Sequence, residues 1–387
     1  MNMPQVQFDS QTVHHDALRR FAGGLLERVG LLPADARLVA DMLVEANLRG
    51  TDSHGVARLP HYLRRIGGGS IKPRPQITVE KLSESCGRVH GDDGLGQLVM
   101  QRATMEAVCL AAKSGAGWVS VARSSHCGAM AYYGLEIADA GMIGFVFSHV
   151  DSMVLPFGSR KAFCGTNPIC ITAPRADGGA GQLHSGALCL DMATSKVPWN
   201  TIANAAIEGV PIEQGWAVDS EGRDTIDAAE VASLYPFGEY KGSGLGLMID
   251  VLCATLSDAP LGPDIPKMYG DMTEPRQLGG MVGALDIGRF VPLRRFHQRI
   301  DDLVRRWTAL PPSMPEQPVL FPGQPELLER ESRLRDGIPL GLNLLRELEE
   351  LAEKYRLVPM FEGLRDSIGT LHGPHVLARS ATIPAAE

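Results

Sequence analysis

Residues 117–150 read GWVSVARSSHCGAMAYYGLEIADAGMIGFVFSHV, and the order of patterns within them decides the fold class. GWVSVARSSH has the β-branched, apolar character of a strand and ends on polar residues. AMAYYGLEIADAG has helical spacing and a glycine stop, and MIGFVFSHV reads as a buried strand. Working outward, QITVEKL alternates like a strand and GQLVMQRATMEAVCLAAKSG reads as a helix ending in glycine. NPICITAP and GALCLDMATS are two more short strands, each running into a polar cluster, and GGMVGALDI is another strand. Strands without a strict alternation with helices favour an α+β sheet domain over a doubly wound one.

Helical periodicity covers 14–30 and 34–49, where ADARLVADMLVEANLRG places apolar residues at helical spacing before a glycine. RIGGGSIKPRPQ, 65–76, is a Gly/Pro breaker and a domain crossing. GSGLGLMIDVLCATLSDA, 242–259, reads as one long apolar helix, and further helices are expected at 292–309 and 325–354. The segment 363–387 lacks periodicity and reads as a mobile tail.

The chain has 387 residues, 44% apolar and 21% charged, and a formal net charge of −8. That length suits two domains, possibly three, and the acidic balance disfavours nucleic acid or an anionic membrane as partner. No basic, apolar leader opens the chain, and no apolar run is long enough for a membrane span. Seven cysteines without a CxxC pair favour a reduced, cytoplasmic compartment over a disulfide framework.

Five polar clusters can carry chemistry. In GTDSHGVARLPHY, 50–62, His54 and Arg58 stand four residues apart and share a face if a helix begins there. An arginine fork binds a carboxylate, a histidine moves a proton near neutral pH, and Ser53 can orient the imidazole or relay its proton. The competing reading makes Asp52 and Ser53 plain helix caps and Arg58 a surface cation. His126 ends the strand of VARSSHCGAMAYY, where active-site groups commonly sit, though a structural histidine fits as well. In FCGTNPICITAP, Thr166 and Asn167 can offer donors to a ligand or close their own turn. LDMATS ends a strand at Asp191. In YPFGEYKGSGLGLM, Lys241 precedes Gly242, Gly244 and Gly246. These either admit a phosphate at a helix N-terminus or let the helix pack closely.

No G-x-G-x-x-G follows a strand, and no P-loop, H-E-x-x-H or G-x-S-x-G occurs. No metal-ligand set is visible. Taken in order, RGTDSHGVARLPHY, SSHCGAMAYY, MVLPFG with GTNP, LDMATS, GWAVDSEGRDT with PFGEYKGSGLGLM, and FPGQPE with RDGIPL resemble the malate/L-lactate dehydrogenase family of the non-Rossmann type, over roughly 14–345. DSMVLPFG and KMYGDMTEPRQLGG are most similar to its ureidoglycolate dehydrogenase branch.

The resemblance implies an oxidoreductase using NAD or NADP. The expected enzyme moves a hydride to or from C2 of a small 2-hydroxy or 2-keto acid of the malate, lactate or ureidoglycolate type. The other reading is a reductase of cyclic imino acids such as piperideine-2-carboxylate or pyrroline-2-carboxylate. The implied fold is a mainly antiparallel NAD(P)-binding α+β domain, 76–290. Beside it stand an N-terminal helical segment, 10–75, and C-terminal helices, 291–355, that pack on that segment. A homodimer with a small carboxylate as substrate is implied as well. The family's proton-donor position falls on His54, its carboxylate position on Arg58 and its second histidine on His126. Its cofactor contacts fall on Asp191, Met192, Ala193, Lys241, Gly242, Gly323 and Gln324.

Overall fold

The computed structural model describes residues 10–176 and 186–357, so the segment read as a mobile tail, 363–387, lies outside the described residues. The strands are β1 (Ser10–Val13), β2 (Thr78–Lys81), β3 (Cys86–His90), β4 (Ala116–Ser124), β5 (Met142–Ser148) and β6 (Ile169–Ala173). They continue with β7 (Leu188–Met192), β8 (Ala217–Val218), β9 (Asp224–Thr225), β10 (Ser233–Leu234), β11 (Leu278–Asp286) and β12 (Ile338–Gly341). The helices are α1 (His15–Arg28), α2 (Pro33–Leu48), α3 (Leu59–Gly68), α4 (Gly96–Ser114) and α5 (Ala131–Asp139). After them come α6 (Trp199–Glu208), α7 (Tyr240–Asp250), α8 (Leu293–Thr308), α9 (Gln324–Asp336) and α10 (Leu342–Lys354).

Seven strands form one sheet in the order β2-β3-β4-β11-β5-β6-β7. Its neighbours are antiparallel except β3 and β4. The fold is therefore mixed α and β on a mostly antiparallel sheet, as the strand pattern around 117–150 foretells. β11, the late strand, lies between β4 and β5, so strands close in sequence are separated in space. Val89, Val119, Val121, Val146 and Val282 pack with Ala103, Ala107 and Leu110 of α4 and with Tyr133 and Ile137 of α5. Two further strand groups are small: β1 pairs with β12, and β8 with β9 and β10.

A second cluster joins α1, α2 and α3 to Ile338 and Leu340 of β12 and to Leu345, Leu348 and Ala352 of α10. β12 interrupts the helical stretch expected over 325–354, because residues 338–341 pair with residues 10–13. α8 keeps only Val304 buried, and Asp301 on it is paired with Arg175 after β6. The long helix expected over 242–259 stops at Asp250 and widens into a π turn, Val251–Thr255. That turn lets β11 approach, since a Cβ on Gly279 would lie 1.8 Å from the Cys253 carbonyl oxygen. Among the described residues no helix is long and apolar enough to cross a membrane.

Candidate active site

His54 and Arg58 do not share an α-helical face as the spacing suggested. They sit on two successive 3-10 turns, Asp52–His54 and Val56–Arg58, divided by Gly55. The reason is Asn47, in the last turn of α2. Its Nδ2 donates to Asp52 Oδ1 at 2.6 Å, and its Oδ1 accepts the Val56 N–H at 2.8 Å. A Cβ at Gly55 would lie 2.2 Å from Asn47 Oδ1, so only glycine lets the chain cross there. Arg333 of α9 completes the clasp, donating to the Asn47 carbonyl and to Asp52 Oδ1, each at 2.7 Å. Asp52 is thus an anchor of the turn and not a helix cap. Ser53 Oγ lies 2.8 Å from His54 Nδ1, and the Ser53 carbonyl accepts from Arg58 Nε at 2.6 Å.

The polar end of β4 brings His126 to this turn. The two imidazoles lie with ring centroids 5.5 Å apart and planes 25° from parallel. His126 Nδ1 is 2.7 Å from the Tyr62 hydroxyl, and that hydroxyl accepts from Gln97 Nε2 at 2.8 Å. Among the described residues neither imidazole's Nε2 has a hydrogen-bond partner. Both rings are partly exposed. Burial first, and then the Arg58 charge, pulls His54 down to about 4. The same two causes hold His126 well below the ordinary histidine range, with His54 adding to them. Both rings are neutral at pH 7.

The Arg58 guanidinium reaches three parts of the chain. Besides the Ser53 carbonyl it donates to the Tyr269 hydroxyl at 2.6 Å and to Asn200 Oδ1 at 3.3 Å. Tyr269 belongs to a loop, 266–276, tied down by the buried Arg65. That side chain donates to the carbonyls of Lys267 (3.1 Å), Met268 (2.9 Å), Asp271 (3.4 Å) and Glu274 (3.1 Å). Arg276 closes the loop's far end with Asp151. Tyr62, Gln97, Asn200, Tyr269 and Arg65 were not singled out from the sequence. Tyr62 stood inside the quoted motif, but no role was read for it there.

Among the described residues the remaining sequence-derived residues make no hydrogen bond to His54, Arg58 or His126. Asp191, next to last in β7, accepts the Ala131 N–H at 2.8 Å, capping α5 five residues after His126. Met192 and Ala193 follow it. Gly323 lies against Cys189 of β7 with φ +92, where a Cβ would meet the Cys189 nitrogen at 3.0 Å. Pro322 accepts the Cys189 N–H at 2.9 Å, so this loop and β7 are brought together. Gln324 borders a cleft of about 640 Å³ shared with Arg175, Gln298, Asp301, Thr308 and Phe321. Lys241 is exposed in the first turn of α7. Gly242 is inside the helix, pressed on the Phe237 carbonyl. Asn167 is buried and donates to the Gly246 carbonyl at 2.9 Å, and the Thr166 carbonyl accepts from Thr194. Their turn holds α7 to the end of β7, and among the described residues neither hydrogen-bonds to Arg58.

The family model for malate/L-lactate dehydrogenase matches residues 13–349. The chain belongs to that family. A ureidoglycolate dehydrogenase (NAD(+)) of Escherichia coli O157:H7 is 31% identical over 85% of this chain and 92% of its own. A malate dehydrogenase structure from Pyrococcus horikoshii OT3 superposes with a TM-score of 0.82 and 31% identity, covering 92% of this chain and 99% of that one. The delta1-piperideine-2-carboxylate reductase structure from Pseudomonas syringae gives 0.79 at 26%, covering 88% and 100%. This member of the malate/L-lactate dehydrogenase family is thus an oxidoreductase acting on CH–OH donors. The turn at 52–58 and the end of β4 are its candidate catalytic elements.

Proposed function

We propose that the protein is a nicotinamide-dependent dehydrogenase of small 2-hydroxy acids of the malate, lactate or ureidoglycolate type. The observation that carries the reading is the Arg58 fork set beside two neutral imidazoles with unpartnered Nε2 atoms. A carboxylate on Arg58 takes the places now held by Tyr269 and Asn200, and its C2 oxygen then faces the imidazoles. His54 gives the proton to that oxygen in reduction and removes it in oxidation. A depressed histidine stays unprotonated at neutral pH and so serves as base at once. The substrate carboxylate also cancels part of the Arg58 charge, one cause of the depression, and so raises the affinity of His54 for a proton.

The residues present fit NAD or NADP. The cleft at Gln324 offers the Gln298 amide as donor and acceptor and the oxygens of Thr308 and Asp301 as acceptors, a set suited to ribose hydroxyls and a purine edge. Gly323, Gln324, Asp191, Met192, Ala193, Lys241 and Gly242 would hold the cofactor. The cofactor supplies the hydride acceptor or donor for C2. Its site is of the non-Rossmann kind, in keeping with the missing glycine fingerprint and the antiparallel sheet. We place the enzyme in a homodimer and, by its free cysteines, in the cytoplasm.

The likeness to the piperideine-2-carboxylate reductase supports a second reading, reduction of a cyclic imine, since one clamp and one acid serve both. Reduced-nicotinamide absorbance with NADH and NADPH separates the two. The substrate panel holds 2-keto acids, a cyclic imino acid, and ureidoglycolate in the oxidative direction. Turnover of a keto acid or of ureidoglycolate supports the dehydrogenase. Turnover of the imino acid alone replaces it with the reductase. No turnover, with no rise in melting temperature on adding either cofactor, overturns the nicotinamide reading.

A further inference from the structure

The two imidazoles are held in different ways. His54 Nδ1 faces a serine hydroxyl, which donates or accepts equally well, so either tautomer of His54 keeps its hydrogen bond. His126 Nδ1 faces the Tyr62 hydroxyl at 2.7 Å, and that hydroxyl already receives a hydrogen from Gln97 Nε2 at 2.8 Å. Tyr62 is wholly buried, and burial raises its pKa further above the ordinary tyrosine value, so it keeps its proton. One hydrogen remains on the Tyr62 oxygen, and the direction left for it is His126 Nδ1. Gln97 is itself wholly buried in α4.

We propose that Tyr62, directed by Gln97, is a positioning residue that fixes His126 in the Nε2–H tautomer. The proposal rests on the dehydrogenase reading of the site. It divides the work between the two rings. His126 holds a constant N–H toward the substrate oxygen and polarises the C2–O bond in both directions. His54, free to change tautomer against Ser53, carries the proton. A fixed donor aimed at developing charge stabilises the transition state without reorienting during the reaction.

The direction of the chain can be reversed by one atom. Gln97→Glu replaces the donor on Tyr62 with an acceptor. Tyr62 then donates to the carboxylate, accepts from His126 Nδ1–H, and leaves Nε2 bare. Tyr62→Phe removes the constraint altogether.

The test is a long-range proton–nitrogen correlation spectrum of the full-length protein with ¹⁵N-labelled histidine, His126 being assigned by the signal lost in His126→Asn. The wild type should show the proton on Nε2, and Gln97→Glu should move it to Nδ1. Tyr62→Phe should show a mixture, with kcat reduced about tenfold, the worth of one oriented hydrogen bond, and with KM within about twofold of wild type. A wild-type proton on Nδ1 overturns the proposal without need of any variant. So does a Tyr62→Phe protein whose His126 tautomer and kcat match the wild type. Activity left intact by His126→Ala would instead count against the function assigned to that ring, and the spectrum would still report the tautomer.

Discussion

Arg58 is gripped by three groups from three parts of the chain, and that grip explains what each of its neighbours should do. Its fork suits a carboxylate because two parallel N–H donors meet two oxygens, which a lysine ammonium cannot match. Arg58→Lys should raise KM for a 2-keto acid about ten- to a hundredfold, the worth of charge-assisted hydrogen bonds, while changing kcat much less. An unmoved KM would place the clamp elsewhere. His54 stands differently, since its part is played in the transition state. His54→Ala should lower kcat by ~10²–10⁴, the usual contribution of a positioned acid or base, with circular dichroism unchanged. A kcat within about twofold of wild type would take His54 out of that role.

At the scale of the element, the loop 266–276 depends on one side chain. Arg65 answers four loop carbonyls at once and also holds His61 Nε2 at 3.2 Å. Arg65→Met fills much of the same volume but leaves those carbonyls without a donor, each costing about 1–3 kcal/mol where buried. Limited proteolysis should then cut within 267–274 while the wild type stays whole at that site. Equal resistance would show that Arg276 and Asp151 suffice. This loop also marks where sequence reading stops. α2, α4, β4 and β5 were legible because each has a burial period that its own residues display, and β11 because it is a short apolar run buried almost throughout. β1 and β12 were not, being four residues each and meaningful only once Val13 finds Ile338, far away in the sequence. His54, Arg58 and His126 could be named from residue chemistry. Tyr62 could not, because what makes it polar in function is a hydrogen bond to a residue 64 positions away. The two 3-10 turns were missed because Asn47, nine residues before Val56, bends a stretch whose own spacing favours a helix.

Across the whole molecule, the site's histidines link its chemistry to stability. His61 is buried between Arg65 and Arg58, and burial first, then those charges, brings it down to about 3. With His54 at about 4 and His126 also depressed, three rings resist protonation in the folded state. In the unfolded chain each titrates near 6.5. Above that pH both states are neutral at these rings and they contribute no pH dependence. Below it the unfolded chain gains protons that the folded one refuses, so stability falls as pH falls from about 6.5 toward 4, by about 1.4 kcal/mol per ring for each unit crossed. The urea midpoint should therefore drop steadily through that window. His61→Gln isolates one ring, since its amide oxygen can still accept from Arg65 while the group no longer titrates. The slope of stability against pH should become shallower by about one proton in this variant. Parallel slopes in variant and wild type would mean that His61 takes up its proton as readily in the folded protein as in the unfolded chain, so that neither its burial nor the arginines beside it hold the ring neutral.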